Sequence, residues 1–206
     1  MEKLQSEKLL LRYILLIVGA TVSGVGIGIT VDSTKSGDAV TFLWEALASK
    51  LNIDITIANY LFTIVLLVFV FIISKDKLGV ATIAIPLLQN VGIKLFGLMG
   101  ISLHGMINDY IIFFIGLIIM AVGYGVAAGS HMGLSVYLSF VEILANKLKI
   151  KFGTMMVISD GANYLFAYLI TGKLATGPFI AVLLGGPILA FAREMTEKML
   201  DAKMVN

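Results

Sequence analysis

The chain contains no cysteine, which excludes disulfides, thiolate metal sites and a cysteine nucleophile. It has two histidines, His104 and His131, too few and too far apart in sequence for a histidine-only metal site. Charge is also scarce: 14% of residues are Asp, Glu, Lys or Arg, against about a quarter in soluble domains. The basic residues stand at segment ends and form no patch, so a nucleic-acid partner is not expected. No GxxxxGK[ST] stretch and no serine–histidine pairing is evident, so neither an enzyme nor a bound cofactor is expected. What the chain does have is apolar bulk, 59% of 206 residues, with a mean hydropathy of +0.99. It also has 21 glycines. An ion in hydrocarbon costs several kcal/mol, and glycine lets helix backbones approach closely there. Both features point to a lipid environment.

A spanning helix needs roughly 17–25 mostly apolar residues. Six windows meet this: Tyr13–Val31, Ile57–Ile73, Leu78–Ile101, Tyr110–Gly129, Phe152–Thr171 and Leu174–Ala192. They are continuously apolar and do not alternate, which favours helices over a β-barrel. The first run is longer than a usual signal core and ends in GIGITVDS without a small-x-small site, so it reads as a retained helix. Lys and Arg collect on the cytoplasmic side of membrane proteins. With the N-terminus inside, the inner segments hold eleven of them, including Arg12, Lys75, Lys77, Lys147, Lys151 and Arg193. The outer segments hold Lys35, Lys50 and Lys173, and Lys94 lies within a span. The expected placement is a bacterial inner membrane with both termini cytoplasmic.

The chain also repeats itself. YILLIVGATVSGVGIG from Tyr13 matches YIIFFIGLIIMAVGYG from Tyr110, pairing Tyr13, Gly19, Gly26 and Gly28 with Tyr110, Gly116, Gly123 and Gly125. EALASKLNI from Glu45 matches EILANKLKI from Glu142 at the same offset of 97. After the loss of one residue, KLGVAT from Lys77 matches KLATGP from Lys173. The expected organisation is a single all-α membrane domain of two three-span repeats, residues 1–104 and 105–206. Each repeat carries an amphipathic or re-entrant helix after its first span, at 38–51 and 135–148. Three crossings is an odd number, so the second repeat must enter from the opposite face, the inverted arrangement of many secondary transporters.

The glycine-rich end of the first span with its following serine–glycine (Ser23–Gly28, Ser36–Gly37) carries a family resemblance. So do the answering GYGVAAGSHMG (Gly123–Gly133) and the KL openings of the third spans. Together they resemble the YczE/YitT-like bacterial integral membrane proteins. The resemblance implies a six-helix inner-membrane fold, and brings no catalytic or binding residue with it.

Polar residues inside apolar runs are the candidates for function. In the two amphipathic segments Asp38, Thr41, Glu45 and Ser49, and Ser135, Ser139, Glu142, Asn146 and Lys149, each form one helical stripe. Such a helix lies flat on the lipid interface or folds back with its stripe facing a watery cavity. Glu45 and Glu142, paired by the repeat, would serve as proton or gate groups. Asp160, near the middle of the fifth span with Asn163 one turn on, is either a pathway group or a carboxylate kept neutral or paired with Lys94. Gln89 and Asn90, near Pro86, lie opposite the Gly185–Gly186–Pro187 break of the other half. They either contact a solute or join helices. Lys94 has the further option of snorkelling outward. Gly24/Gly28 and Gly125/Gly129 are small-xxx-small spacings that suit helix packing. The expected function is a small secondary transporter or exporter of a small solute or ion. Its site would lie between the repeats, contacted by Asp160, Asn163, Gln89 and Asn90. The alternative is a regulatory or substrate-binding membrane subunit of a larger complex. The chain's partners are then the bilayer and the solute, and a homodimer is compatible with so small a bundle.

Overall fold

Each apolar run forms one helix, because in lipid only intrahelical hydrogen bonds satisfy the backbone of a lone segment. The structure is a computed structural model that describes residues 2–33, 35–74 and 78–205. Lys75 and Lys77, used above for orientation, lie outside the described residues. Among the described residues eight helices form: α1 (Glu2–Asp32), α2 (Ala39–Leu51), α3 (Ile55–Ser74), α4 (Val80–Leu98), α5 (Asp109–Ala128), α6 (Val136–Leu148), α7 (Phe152–Thr171) and α8 (Thr176–Val205). No β-strand forms among the described residues.

Five of these helices are long and apolar enough to cross a membrane: α1, α3, α4, α5 and α8. With them the chain has the make-up of a multi-pass α-helical membrane protein. α7 matches them in length, but Asp160 and Asn163 interrupt its apolar run. Two boundaries differ from the sequence expectation. α1 begins at Glu2, well before Tyr13, and α8 continues past Ala192 to Val205. In both cases polar helix formers extend the helix beyond its apolar part.

α1 and α5 form the central crossing. A Cβ added to Gly19 would meet Gly123 and Ala127, and one added to Gly26 would meet Gly116 and Met120. Rising numbers on α1 thus meet falling numbers on α5, and the helices run antiparallel. A second glycine face of each helix seats another neighbour. Gly24 rests on the backbone of Gln89 and Gly28 on Phe96, both of α4, while Gly125 and Gly129 rest on Leu189 and Arg193 of α8. The four-residue spacings are therefore packing faces, as small residues in lipid commonly are.

α2 and α6 are folded into the protein. α2 buries Ala39, Val40, Thr41, Phe42, Leu43, Ala46 and Ala48, packing on α3 and α7. α6 packs on α3 and α7 in turn. Both helices start and stop by the same devices. The Asp38 carboxylate accepts from Thr41 N at 2.8 Å, and the Ser135 hydroxyl accepts from Leu138 N at 3.3 Å. Asn52 (φ 53) and Lys149 (φ 57) end them in the left-handed region, the usual helix stop. α7 packs along α8, whereas α3 and α4 stand apart.

Candidate functional site

Where α3 and α4 stand apart, a cavity of about 530 Å³ opens, walled by α1, α2, α3, α4 and the α5–α6 region. Its size is that of a site for a drug-sized ligand. α2 presents Trp44 and Glu45 to it, α3 Asn59 and Phe62, and α4 Gln89 and Asn90. Among the described residues, no Lys, Arg or His lines it. Pro86 is also in the wall, within α4, where it removes one backbone donor from the helix ladder.

The side chains of the wall are held from behind. Gln89 Nε2 donates to Ser23 Oγ of α1 at 3.0 Å, and Thr63 Oγ1 donates to Asn59 Oδ1 at 3.1 Å. Rings of Trp44 and Phe62 meet edge-on at 6.3 Å, and Phe62 meets Tyr137 at 6.4 Å, so three aromatics stand in contact along the wall. Asp32, also in the wall, is occupied elsewhere: its carboxylate accepts from Ser102 Oγ, Leu103 N and His104 N at 3.0, 2.7 and 3.2 Å. It ties the α4–α5 connection to the end of α1, a role beyond merely stopping the first span. Glu45 is different. Burial raises its carboxyl above the ordinary range, a hydrogen bond from Ser36 opposes this, and Asp38 adds to the rise. Among the described residues it has no ion-pair partner.

The candidates expected from the sequence do not meet in one place. Glu45, Gln89 and Asn90 share the large cavity. Asp160 and Asn163 lie behind its wall, where both engage Tyr137. The Tyr137 hydroxyl donates to Asp160 Oδ1 at 2.5 Å, and Asn163 Nδ2 donates to the same hydroxyl oxygen at 3.1 Å. Asp160 thus faces a small void of about 30 Å³ that it shares with Asp38, Tyr124 and Tyr137. The alternative of an Asp160–Lys94 pair is corrected: Lys94 is exposed, and the carboxylate's partner is a tyrosine. Glu142 is at a third place. Arg193 Nη2 of α8 donates to it at 2.9 Å, and Arg193 Nε donates to Glu197 at 2.7 Å. A shallower cleft of about 600 Å³ adjoins this cluster between α6, α7 and α8.

Sequence reasoning passed over Tyr137, Trp44 and Arg193 as participants. Tyr137 and Trp44 sit among apolar neighbours on the amphipathic helices, outside the polar stripes that supplied the candidates. The signal available was that tyrosine inside an apolar helix needs a partner for its hydroxyl. Tyr124 makes the same point, its hydroxyl being hydrogen-bonded to Ser135.

A multi-pass α-helical membrane fold with a cavity between α3 and α4 defines the class of protein. Within that class, the chain matches over residues 10–194 a family described as a family of unknown function (DUF6198), and it belongs to that family. No curated protein and no solved structure matches it.

Proposed function

We propose that the chain is a small secondary transporter built of two inverted three-span repeats, with α7 as the sixth crossing and both termini cytoplasmic. Its resemblance to YczE/YitT-like proteins fits that architecture. The solute binds between the halves, and the halves exchange conformations to give alternating access.

One observation carries the reading: the packing is reciprocal, but α7 packs along α8 while the matching helices α3 and α4 stand apart. Gly19 meets Gly123 and Gly26 meets Gly116, while the repeat equates Gly19 with Gly116 and Gly26 with Gly123. Each residue therefore contacts its counterpart's partner, as a two-fold relation requires. The same offset of 97 relates the helix caps Asp38 and Ser135, and the left-handed stops Asn52 and Lys149. α1 on α4 answers α5 on α8, and α2 on α7 answers α3 on α6. The exception is that α7 packs on α8 while α3 stands away from α4. Two equivalent helix pairs in different packing states are what an alternating-access cycle needs. The other state closes α3 onto α4 and opens α7 from α8, which breaks the Glu142–Arg193 bond.

The absence of cysteine makes this testable with introduced pairs. Spin labels at Ile57 and Leu98 report the α3–α4 gap, and labels at Thr154 and Glu194, their counterparts, report the α7–α8 gap. The expected result is two distance populations for each pair, with conditions that shorten one lengthening the other. Single, unchanging distances for both pairs would remove the transporter reading and favour a binding or regulatory subunit.

A further inference from the structure

The repeat makes a comparison between Glu45 and Glu142 that neither residue makes alone. Glu142 has its counter-charge in Arg193 at 2.9 Å. In the α4–α8 alignment, offset by 96 from Lys77 to Lys173, the residue matching Arg193 is Gly97. That glycine lies in the wall of the large cavity, and a Cβ placed on it would meet nothing within 4 Å. The space that the arginine fills in one half is open in the other. Glu45 faces that space without a base.

The rest of the cavity has the same bias. Among the described residues its wall carries Asp32 and Glu45 and no basic residue. Lys94, which lies within α4, is exposed and absent from the wall. Trp44, Phe62 and Tyr137 form a linked aromatic cluster in the wall, and the negative face of such rings attracts cations. Gln89 and Asn90 supply amide oxygens that accept hydrogen bonds without adding charge.

We propose that this cavity binds an organic cation with an apolar body, its charge set against Glu45 and its body against Trp44 and Phe62. The ligand cation takes the place that Arg193 holds in the other half. At about 530 Å³ the cavity has room for several rings or a short branched chain, far more than a bare metal ion requires. The comparison of Glu45 with Glu142 rests on the proposed duplication. Binding itself requires no exchange of states, so a chain that binds the cation yet shows fixed spin-label distances would keep this inference and lose the transport reading.

The sequence supplies its own reporter, because Trp44 is the sole tryptophan and stands in the cavity wall. The probes are tetraphenylphosphonium and tetraphenylborate, which share one shape and carry opposite charges. The full chain in a neutral detergent is titrated with each while Trp44 fluorescence is followed. The expected result is a saturable change with the phosphonium at a concentration about tenfold or more below any change with the borate. Glu45→Gln, which keeps the size and the Ser36 contact, is expected to weaken phosphonium binding about tenfold, the scale of one hydrogen-bonded charge. Asn90→Lys, which places a cation in the wall, is expected to abolish phosphonium binding and improve that of the borate. Equal response to both ions, or binding unaffected by both substitutions, overturns the assignment. So does the absence of any saturable change, the outcome expected if a lipid chain fills the groove.

Discussion

Arg193 holds Glu142 through Nη2 at 2.9 Å and Glu197 through Nε at 2.7 Å, joining α6 to the long last helix. Both Arg193 and Glu142 are about four-fifths buried, with 19% and 17% of the side chain exposed. Removing one partner from a buried pair strands the other charge and costs roughly 3–5 kcal/mol when burial is complete. Here partial exposure reduces that to about 2–3 kcal/mol. Arg193→Met is expected to lose that amount in a detergent unfolding series, and Arg193→Met with Glu142→Gln to lose less than the two single losses combined. Strictly additive losses would mean that the pair is not coupled.

Glycines on one helix separate packing from propensity. A Cβ at Gly92 would lie 2.1 Å from the Thr21 carbonyl oxygen of α1, whereas at Gly97 it meets nothing within 4 Å. Gly92→Ala must push α4 off α1, an overpacking cost of about 1–3 kcal/mol. Gly97→Ala adds helix propensity alone, worth up to about 1 kcal/mol in its favour. Thermal unfolding followed by circular dichroism should therefore move in opposite directions for the two variants. Equal behaviour would mean that the close α1–α4 approach is absent.

Much of the framework was legible because its causes are local. The apolar runs became helices, Asp38 and Ser135 became caps, and Gly24/Gly28 and Gly125/Gly129 became packing faces, since each depends on residues a few positions apart. The amphipathic stripes were also real, but a stripe cannot tell lipid from protein, and only packing on α3 and α7 decides it. The site was harder to read. Glu142 meets a base 51 residues away, Asp160 meets a tyrosine on another helix, and Lys94 faces outward. Those choices depend on which helix faces lie together. The sequence reading grouped Asp160, Asn163, Gln89 and Asn90 by their depth along the spans, yet Tyr137 stands between the two pairs.

Tyr137 stands between the void around Asp160 and the large cavity, because it lines both. Tyr137→Phe keeps the ring and removes the donor that satisfies Asp160 at 2.5 Å. An unsatisfied buried acceptor costs about 1–3 kcal/mol, and more when charged. Tyr137→Phe is thus expected to destabilise the chain by at least that amount. Adding Asp160→Asn should recover part of the loss, because the amide carries no charge to strand. The double-mutant cycle measures this, and a double variant less stable than additivity predicts would count against a carboxylate that depends on Tyr137.

The pH dependence of cation binding follows from Glu45. Burial holds its carboxyl above the ordinary carboxylate range. Among the groups around it, Ser36 donates to it and lowers the shift, and Asp38 repels its charge and increases it. Asp32 of α1 and Tyr137 of α6 share its cavity, while Asn59, Gln89 and Asn90 from α3 and α4 do not titrate. Above the raised value Glu45 is ionised and binds tetraphenylphosphonium fully. As pH falls through it, a proton competes with the cation, and affinity should drop by about tenfold in all, levelling off at the affinity of Glu45→Gln, as one-proton linkage to a site with residual affinity requires. The phosphonium has no titrating group, so the profile belongs to the protein. In Glu45→Gln the residual affinity should be nearly flat over the same range. A wild-type profile that matches the variant's would show that the titrating group, if there is one, is not Glu45.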